Sequence, residues 1–216
     1  MKKVFSGLLL LFAMGCGDAR SFEGKNIFGS QSSTGTSSTG GGWEPEWPQG
    51  DSGVGLLQII PEGMQWKGFR QGQQSYNEVT LEPRDWYDPT GIRGVDALLI
   101  ITTKHQCDKC TEEAGLLAER ISSWKSENKR IKVVLLVVDN EKGKAATLET
   151  ALKWRTDYFL VDADVGIDPL ALMLPDVVFG MPYHTVVDPR TMTVVETQEG
   201  IIGDYKVLED LSNENK

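Results

Sequence analysis

Two nearly unbroken apolar runs stand out along the chain, ALLIITT at 97–103 and IKVVLLVV at 131–138. Both are rich in β-branched residues, a pattern that suits strands buried on both faces of a sheet covered by helices. Between them Ala114, Leu117, Ala118, Ile121 and Trp124 recur at helical spacing with charges opposite, which predicts a helix over about 108–127. Strand, helix and strand at this spacing make a βαβ unit with a right-handed crossover. A second helix is predicted from a Thr147 cap through Leu148, Leu152 and Trp154, after which 158–161 returns toward the sheet. Residues 183–187 and 193–197, turned by Asp188-Pro189-Arg190, read as a closing hairpin. Upstream, VGLLQII at 54–60 reads as a strand closed by Pro61-Glu62-Gly63, and EVTLEP at 78–83 as another short strand. The acidic tail from Gly203 is expected to form a last helix that frays. The sum is an α/β domain over 54–216 with a mixed central sheet flanked by helices, and no internal repeat.

The segment before residue 54 has a different texture. Residues 1–15, MKKVFSGLLLLFAMG, carry two lysines, a short apolar run and small residues: a secretory signal, too short to span a bilayer as a stable helix. Residues 16–53 are dominated by Ser, Thr and Gly, and cannot bury enough apolar surface to fold. They predict a disordered tether, Trp43 and Trp47 included, with an r.m.s. span of roughly 30 to 35 Å. The formal net charge is -9, and loss of Lys2 and Lys3 with the signal makes it about -11. That balance argues against nucleic acid, which needs a basic face, and against adsorption to anionic lipid by charge alone.

Three cysteines are present: Cys16 directly after the apolar N-terminal run, and the pair Cys107 and Cys110 where a helix opens after a buried strand. Two thiols at that spacing and place form a redox arrangement. The free N–H groups and macrodipole of a first helical turn favour a thiolate on Cys107. Cys110, about one turn further on, is close enough to form a disulfide. Cys107 is the candidate nucleophile and Cys110 the resolving thiol of thiol–disulfide exchange. Glu112, Glu113, Glu119, Asp162 and Asp164 are expected to solvate helix faces and loops. No Gly-rich phosphate loop, Ser-His-Asp spacing or zinc-protease motif is present.

From about residue 61 to 200 the chain resembles exported thioredoxin-fold proteins of the redoxin (AhpC/TSA, thiol–disulfide oxidoreductase) type. The carrying stretches are ALLIITT-KHQ-CDKC, IKVVLLVVDN and GMPYHTVVDPRTMTVVETQEG. The resemblance implies a thioredoxin-like three-layer fold, with Pro182 in cis facing the cysteine pair. It also implies that the Met181 backbone is free to pair with an extended substrate, and that Gln106, where most relatives carry tryptophan, lies at the substrate contact. Two features depart from the pattern: the Asp-Lys dipeptide between the cysteines, and Ile101 in place of a buried aspartate. A peroxidase of the peroxiredoxin kind would need Pro-x-x-x-Thr-x-x-Cys, and Lys104 stands where its threonine belongs.

The same resemblance implies exchange with protein dithiols and disulfides and with a reductant or oxidant partner, and no organic cofactor. It would also bring the chain's two histidines, His105 and His184, near the thiols. Two thiolates and an imidazole suit copper(I) or zinc, so a metal-binding module built on Cys107, Cys110, His184 and His105 is the alternative. Ala13-Met14-Gly15-Cys16 resembles the lipobox of bacterial lipoproteins, which implies cleavage before Cys16 and lipidation of its thiol. Gly17 in place of aspartate then favours the outer membrane, facing the periplasm.

Overall fold

A computed structural model describes residues 45–73 and 76–216. The expected signal peptide, Cys16 and the expected tether as far as residue 44 lie outside the described residues. The strands are β1 (Trp66–Phe69), β2 (Val79–Leu81), β3 (Ala97–Thr103), β4 (Ile131–Val137), β5 (Asp164–Ile167), β6 (Tyr183–Asp188) and β7 (Thr193–Glu199). The helices are α1 (Asp108–Ser126), α2 (Leu148–Asp157) and α3 (Lys206–Glu214). The strands form one mixed sheet in the order β2-β1-β5-β4-β3-β6-β7. Among the described residues, no helix is long and apolar enough to cross a membrane.

β3 is the spine of this sheet. All seven of its residues are buried. It pairs in parallel with β4, from Ala97 opposite Ile131 to Thr103 opposite Val137. On its other side it pairs antiparallel with β6, from Leu98 opposite Val187 to Thr102 opposite Tyr183. Alternation sends Ala97, Leu99 and Ile101 into a core with Ala114, Leu117, Ile121 and Trp124 of α1, Trp154 of α2 and Leu208 of α3. Leu98 and Ile100 enter a second core, where Trp47, Ile60, Trp86, Met173 and Met192 cover the sheet without drawing on any of the three helices. Each fully buried Leu or Ile contributes about 1.5–3 kcal/mol, so the doubly covered strand is the most expensive one to expose.

Local signals set the helix ends. Cys107 caps α1, its sulfur accepting from the Cys110 N–H, and Asn128 in the left-handed region (φ 56°) ends it. Thr147 caps α2 through a reciprocal pair of bonds with Thr150. Phe159 (φ 55°) turns the chain away from α2.

Several expectations are corrected. Residues 54–60 form no regular strand. Left-handed Leu57 (φ 64°) interrupts the run, and only Ile59 makes bridges, to Ser52 and Thr193. After the turn at Phe159, Leu160 is buried in the core shared with the helices, and the strand that follows lies at 164–167. β1 was not anticipated, since Gly68 reads as a breaker. It pairs antiparallel with β5, Gly68 opposite Gly166, where a Cβ on Gly68 would lie 2.6 Å from the Gly166 Cα.

The ordered chain also starts before residue 54. Trp47 is buried, with its ring 5.0 Å from Tyr87 and the Arg84 guanidinium 5.7 Å above it. Tyr87 Oη and Arg84 Nη1 donate to the carbonyls of Glu46 and Pro45. A single aromatic seated in a slot offsets a composition otherwise suited to disorder. Nor does α3 fray at its end. Asn215 Nδ2 donates to the Asp96 carbonyl at 2.9 Å, and Arg190 Nη2 donates to the Asn215 carbonyl at 2.6 Å.

A chain starting at residue 54 therefore loses the Trp47 contacts that one starting at residue 41 keeps. Urea unfolding should show it less stable by about 2–4 kcal/mol. Coincident transitions would mean that the tryptophan contributes nothing.

Candidate active site

The topology explains why Cys107 and Met181, 74 positions apart, meet. β3 runs toward the cysteines and β6 runs away from Pro182. With Thr102 opposite Tyr183, the end of one strand and the entry to the other emerge side by side. The loop after β3 is braced by its neighbours. The His105 N–H donates to Asp139 Oδ1 at 2.6 Å, and Gln106 Nε2 donates to the Glu141 carbonyl at 2.9 Å. Gln106 is exposed, but its amide nitrogen is engaged within the chain.

Cys107 and Cys110 form a disulfide with Cα atoms 5.2 Å apart. They are not equivalent. Cys107 is half-buried and its Sγ accepts the Cys110 N–H at 3.2 Å, whereas Cys110 is 1% exposed inside the helix-side core. The Met181–Pro182 peptide is cis, and the Met181 carbonyl oxygen lies 3.7 Å from Cys107 Sγ. Among the described residues, the Met181 N–H and C=O make no backbone hydrogen bond. The accessible sulfur thus sits beside a short length of unpaired backbone.

One turn along α1 from Cys110 lies a buried polar group. Glu113, expected to solvate the helix, is 4% exposed, and its carboxylate oxygens are 2.7 and 2.8 Å from His184 Nε2. Tyr205 Oη donates to Glu113 Oε1 at 3.2 Å. His184 Nδ1 faces the Gln198 carbonyl at 3.3 Å. Burial, reinforced by the adjacent Glu113 charge, pushes the Tyr205 phenol well up, so it stays a donor. Glu113 follows Cys110 by three residues and so shares its helix face. That spacing beside apolar Ala114 is the signal the sequence offered. His184 stands opposite Ile101 in the sheet register. The polar group under the cysteines therefore enters from α1 and β6, while β3 supplies only Ile101. Asp164, also expected at the surface, is buried and accepts from Trp86 Nε1 at 2.9 Å, the Gln71 N–H at 2.7 Å and Lys132 Nζ at 2.8 Å. Its role is structural.

The ligand set of the metal alternative does not converge. His184 faces Glu113, His105 Nδ1 accepts from Trp154 Nε1 at 3.3 Å, and the two sulfurs are bonded to each other. Among the described residues, no group of three or more His, Cys, Asp or Glu side chains is arranged to hold a metal ion.

The chain is similar to the solution structure of a protein from Bacteroides thetaiotaomicron assigned as a protein disulfide isomerase. The TM-score is 0.51 at 15% identity, over 75% of this chain and 90% of that one. It is also similar to the exposed lipoprotein thioredoxin Etrx1 of Streptococcus pneumoniae (TM-score 0.48, 16% identity, 69% and 99% covered). A third similar structure is assigned as the thiol:disulfide interchange protein DsbE of Chlorobium tepidum (TM-score 0.46, 18% identity, 74% and 98% covered). No family model and no curated protein matches the sequence.

Removing one partner of the buried pair should be costly. His184→Ala is expected to lower stability by about 3–5 kcal/mol in urea unfolding, with the double change Glu113→Leu/His184→Leu much closer to the native chain. A His184→Ala loss under about 1 kcal/mol would mean that the pair is not buried as described.

Proposed function

We propose that this chain, whose fold is thioredoxin-like, is a thiol–disulfide oxidoreductase of a bacterial cell envelope. It exchanges disulfides with protein partners through Cys107 and Cys110. The observation that carries this reading is the asymmetry of the pair: a half-buried sulfur at a helix start beside Met181-Pro182, with its bonded partner enclosed behind it.

In the reduced chain the Cys107 thiolate, favoured by the first-turn N–H groups, attacks one sulfur of a partner disulfide. A mixed disulfide forms and the partner's other sulfur leaves as a thiolate. The Cys110 thiolate then attacks Cys107 Sγ. This closes the Cys107–Cys110 bond and releases the partner as a dithiol, two electrons having passed to it. The reverse sequence oxidises a partner dithiol and needs an oxidised Cys107–Cys110 pair at the start. A separate reductant or oxidant protein resets the pair, and no organic cofactor takes part. Pro182 shapes the groove, and the Met181 backbone pairs with the extended partner chain. Gln106 holds the opposite wall through its bond to Glu141.

In the same reading Cys16 carries acyl chains that fix the protein to the outer membrane, facing the periplasm. More than one chain is needed for stable anchoring, at about 0.8 kcal/mol per buried methylene. The lipobox-like Ala13-Met14-Gly15-Cys16 and the neutral Gly17 support this.

Incubated with a disulfide-bonded peptide, reduced Cys110→Ser protein should accumulate a mixed disulfide mapped by mass spectrometry to Cys107, and Cys107→Ser should accumulate none. Adducts on neither variant, or equally on both, would refute the exchange reaction. For the anchor, the N-terminal peptide of the mature protein from a bacterial host should begin at an acylated Cys16. An unmodified Cys16 would refute lipidation.

A further inference from the structure

The connection between β5 and β6, which leads into Met181 beside the Cys107 sulfur, exposes apolar side chains while its backbone is held in place. It is fixed at both ends. The Asp168 carboxylate accepts from the N–H groups of Leu172 at 2.9 Å and Met173 at 3.0 Å, and the Met173 side chain is fully buried in the second core. At the other end, the Phe179 N–H donates to both carboxylate oxygens of Glu199 at 3.0 and 3.1 Å. Between and at these points Leu170, Val177 and Phe179 are 77%, 63% and 91% exposed. Phe179 is the most exposed large apolar side chain among the described residues. Single exposed apolar residues are ordinary. Three on one held segment are not explained by folding, which gains roughly 25 cal/mol for each Å² of such surface it covers.

Their position decides the reading. Phe179 precedes Met181 by two residues, so their Cα atoms are at most about 7 Å apart, and the Met181 carbonyl touches Cys107 Sγ. On the other side of the sulfur the chain offers Lys104, His105, Gln106, Asp108 and Lys109, all polar, with the Gln106 amide nitrogen already engaged. The exposed apolar side chain nearest Met181 in the chain is therefore Phe179. Exposed Asp176 lies next to Val177, and the whole chain carries a formal charge of -9, so an acidic partner segment is repelled and a neutral or basic one is not.

We propose that this connection is the partner-selecting surface. It receives an extended polypeptide whose residues next to the reacting cysteine are apolar and not acidic, with Phe179 as the principal contact. The assignment rests on the exchange reaction proposed above and adds to it the class of partner. Because the backbone is already fixed by Asp168, Met173 and Glu199, little ordering cost opposes docking.

The test uses the full reduced chain and three probes: hydroxyethyl disulfide, a peptide disulfide with Leu and Val flanking its cysteines, and one of equal length with Glu and Ser there. The native chain should reduce the apolar-flanked peptide about tenfold faster than the acidic one. Phe179→Ser should remove most of that advantage, and Val177→Ser part of it, while rates with the acidic peptide and hydroxyethyl disulfide stay unchanged. Equal native rates on the two peptides, with hydroxyethyl disulfide still reduced, would overturn the docking surface alone. So would a Phe179→Ser variant that slows all three probes alike. No reaction with hydroxyethyl disulfide would overturn the exchange reaction itself, and this surface with it.

Discussion

The antiparallel pairing of β3 with β6 is the constraint on which the site depends. Side chains alternate along a strand, so a slip of one residue turns every side chain to the opposite face. In the observed register Ile101 faces His184 and Thr102 faces Tyr183. A slip by one would swing His184 away from Glu113 and carry Met181 off the Cys107 sulfur. The register is held by burial on both faces. Leu99, Ile101 and Val186 serve the helix-side core, and Leu98, Ile100 and Val187 the other. The chemistry at the strand end thus inherits its geometry from apolar packing along the strand.

The same pairing concentrates polar cost near the cysteines. A carboxylate and an imidazole buried together gain little net stability over an apolar pair of similar volume. They persist one turn along α1 from Cys110, with Tyr205 completing the group. The group also ties α3 to the site, since Tyr205 lies at the start of that helix and meets Trp124 edge-on at 5.1 Å. Stability and site geometry are therefore shared between elements far apart in the chain.

What the sequence disclosed follows the range of the interactions. The βαβ unit, the α1 and α2 caps and the closing hairpin are local, carried by periodicity and by residues such as Thr147 and Asp188-Pro189-Arg190. The Cys107–Cys110 pair and Met181-Pro182 were readable as separate motifs, but only a family resemblance brought them together. Features set by distant partners were hidden. Gly68 reads as a breaker until Gly166 lies across from it, and Trp47 reads as part of a linker until Tyr87 and Arg84 receive it. Glu113 reads as a solvated carboxylate until His184 arrives from β6. Leu57 interrupts a run that reads as continuous, because a left-handed residue leaves no mark in an apolar pattern.

Exchange through Cys107 and Cys110 requires the two sulfurs to act as one two-electron couple. That coupling is read by equilibrating the full chain in thiol–disulfide buffers of stepped ratio, alkylating the free thiols and weighing the products. Cys107 and Cys110 should pass together from unmodified to doubly alkylated, in one transition that changes tenfold in equilibrium constant per about 30 mV. Cysteines that alkylate independently of each other, or a pair that no dithiol buffer opens, would contradict it.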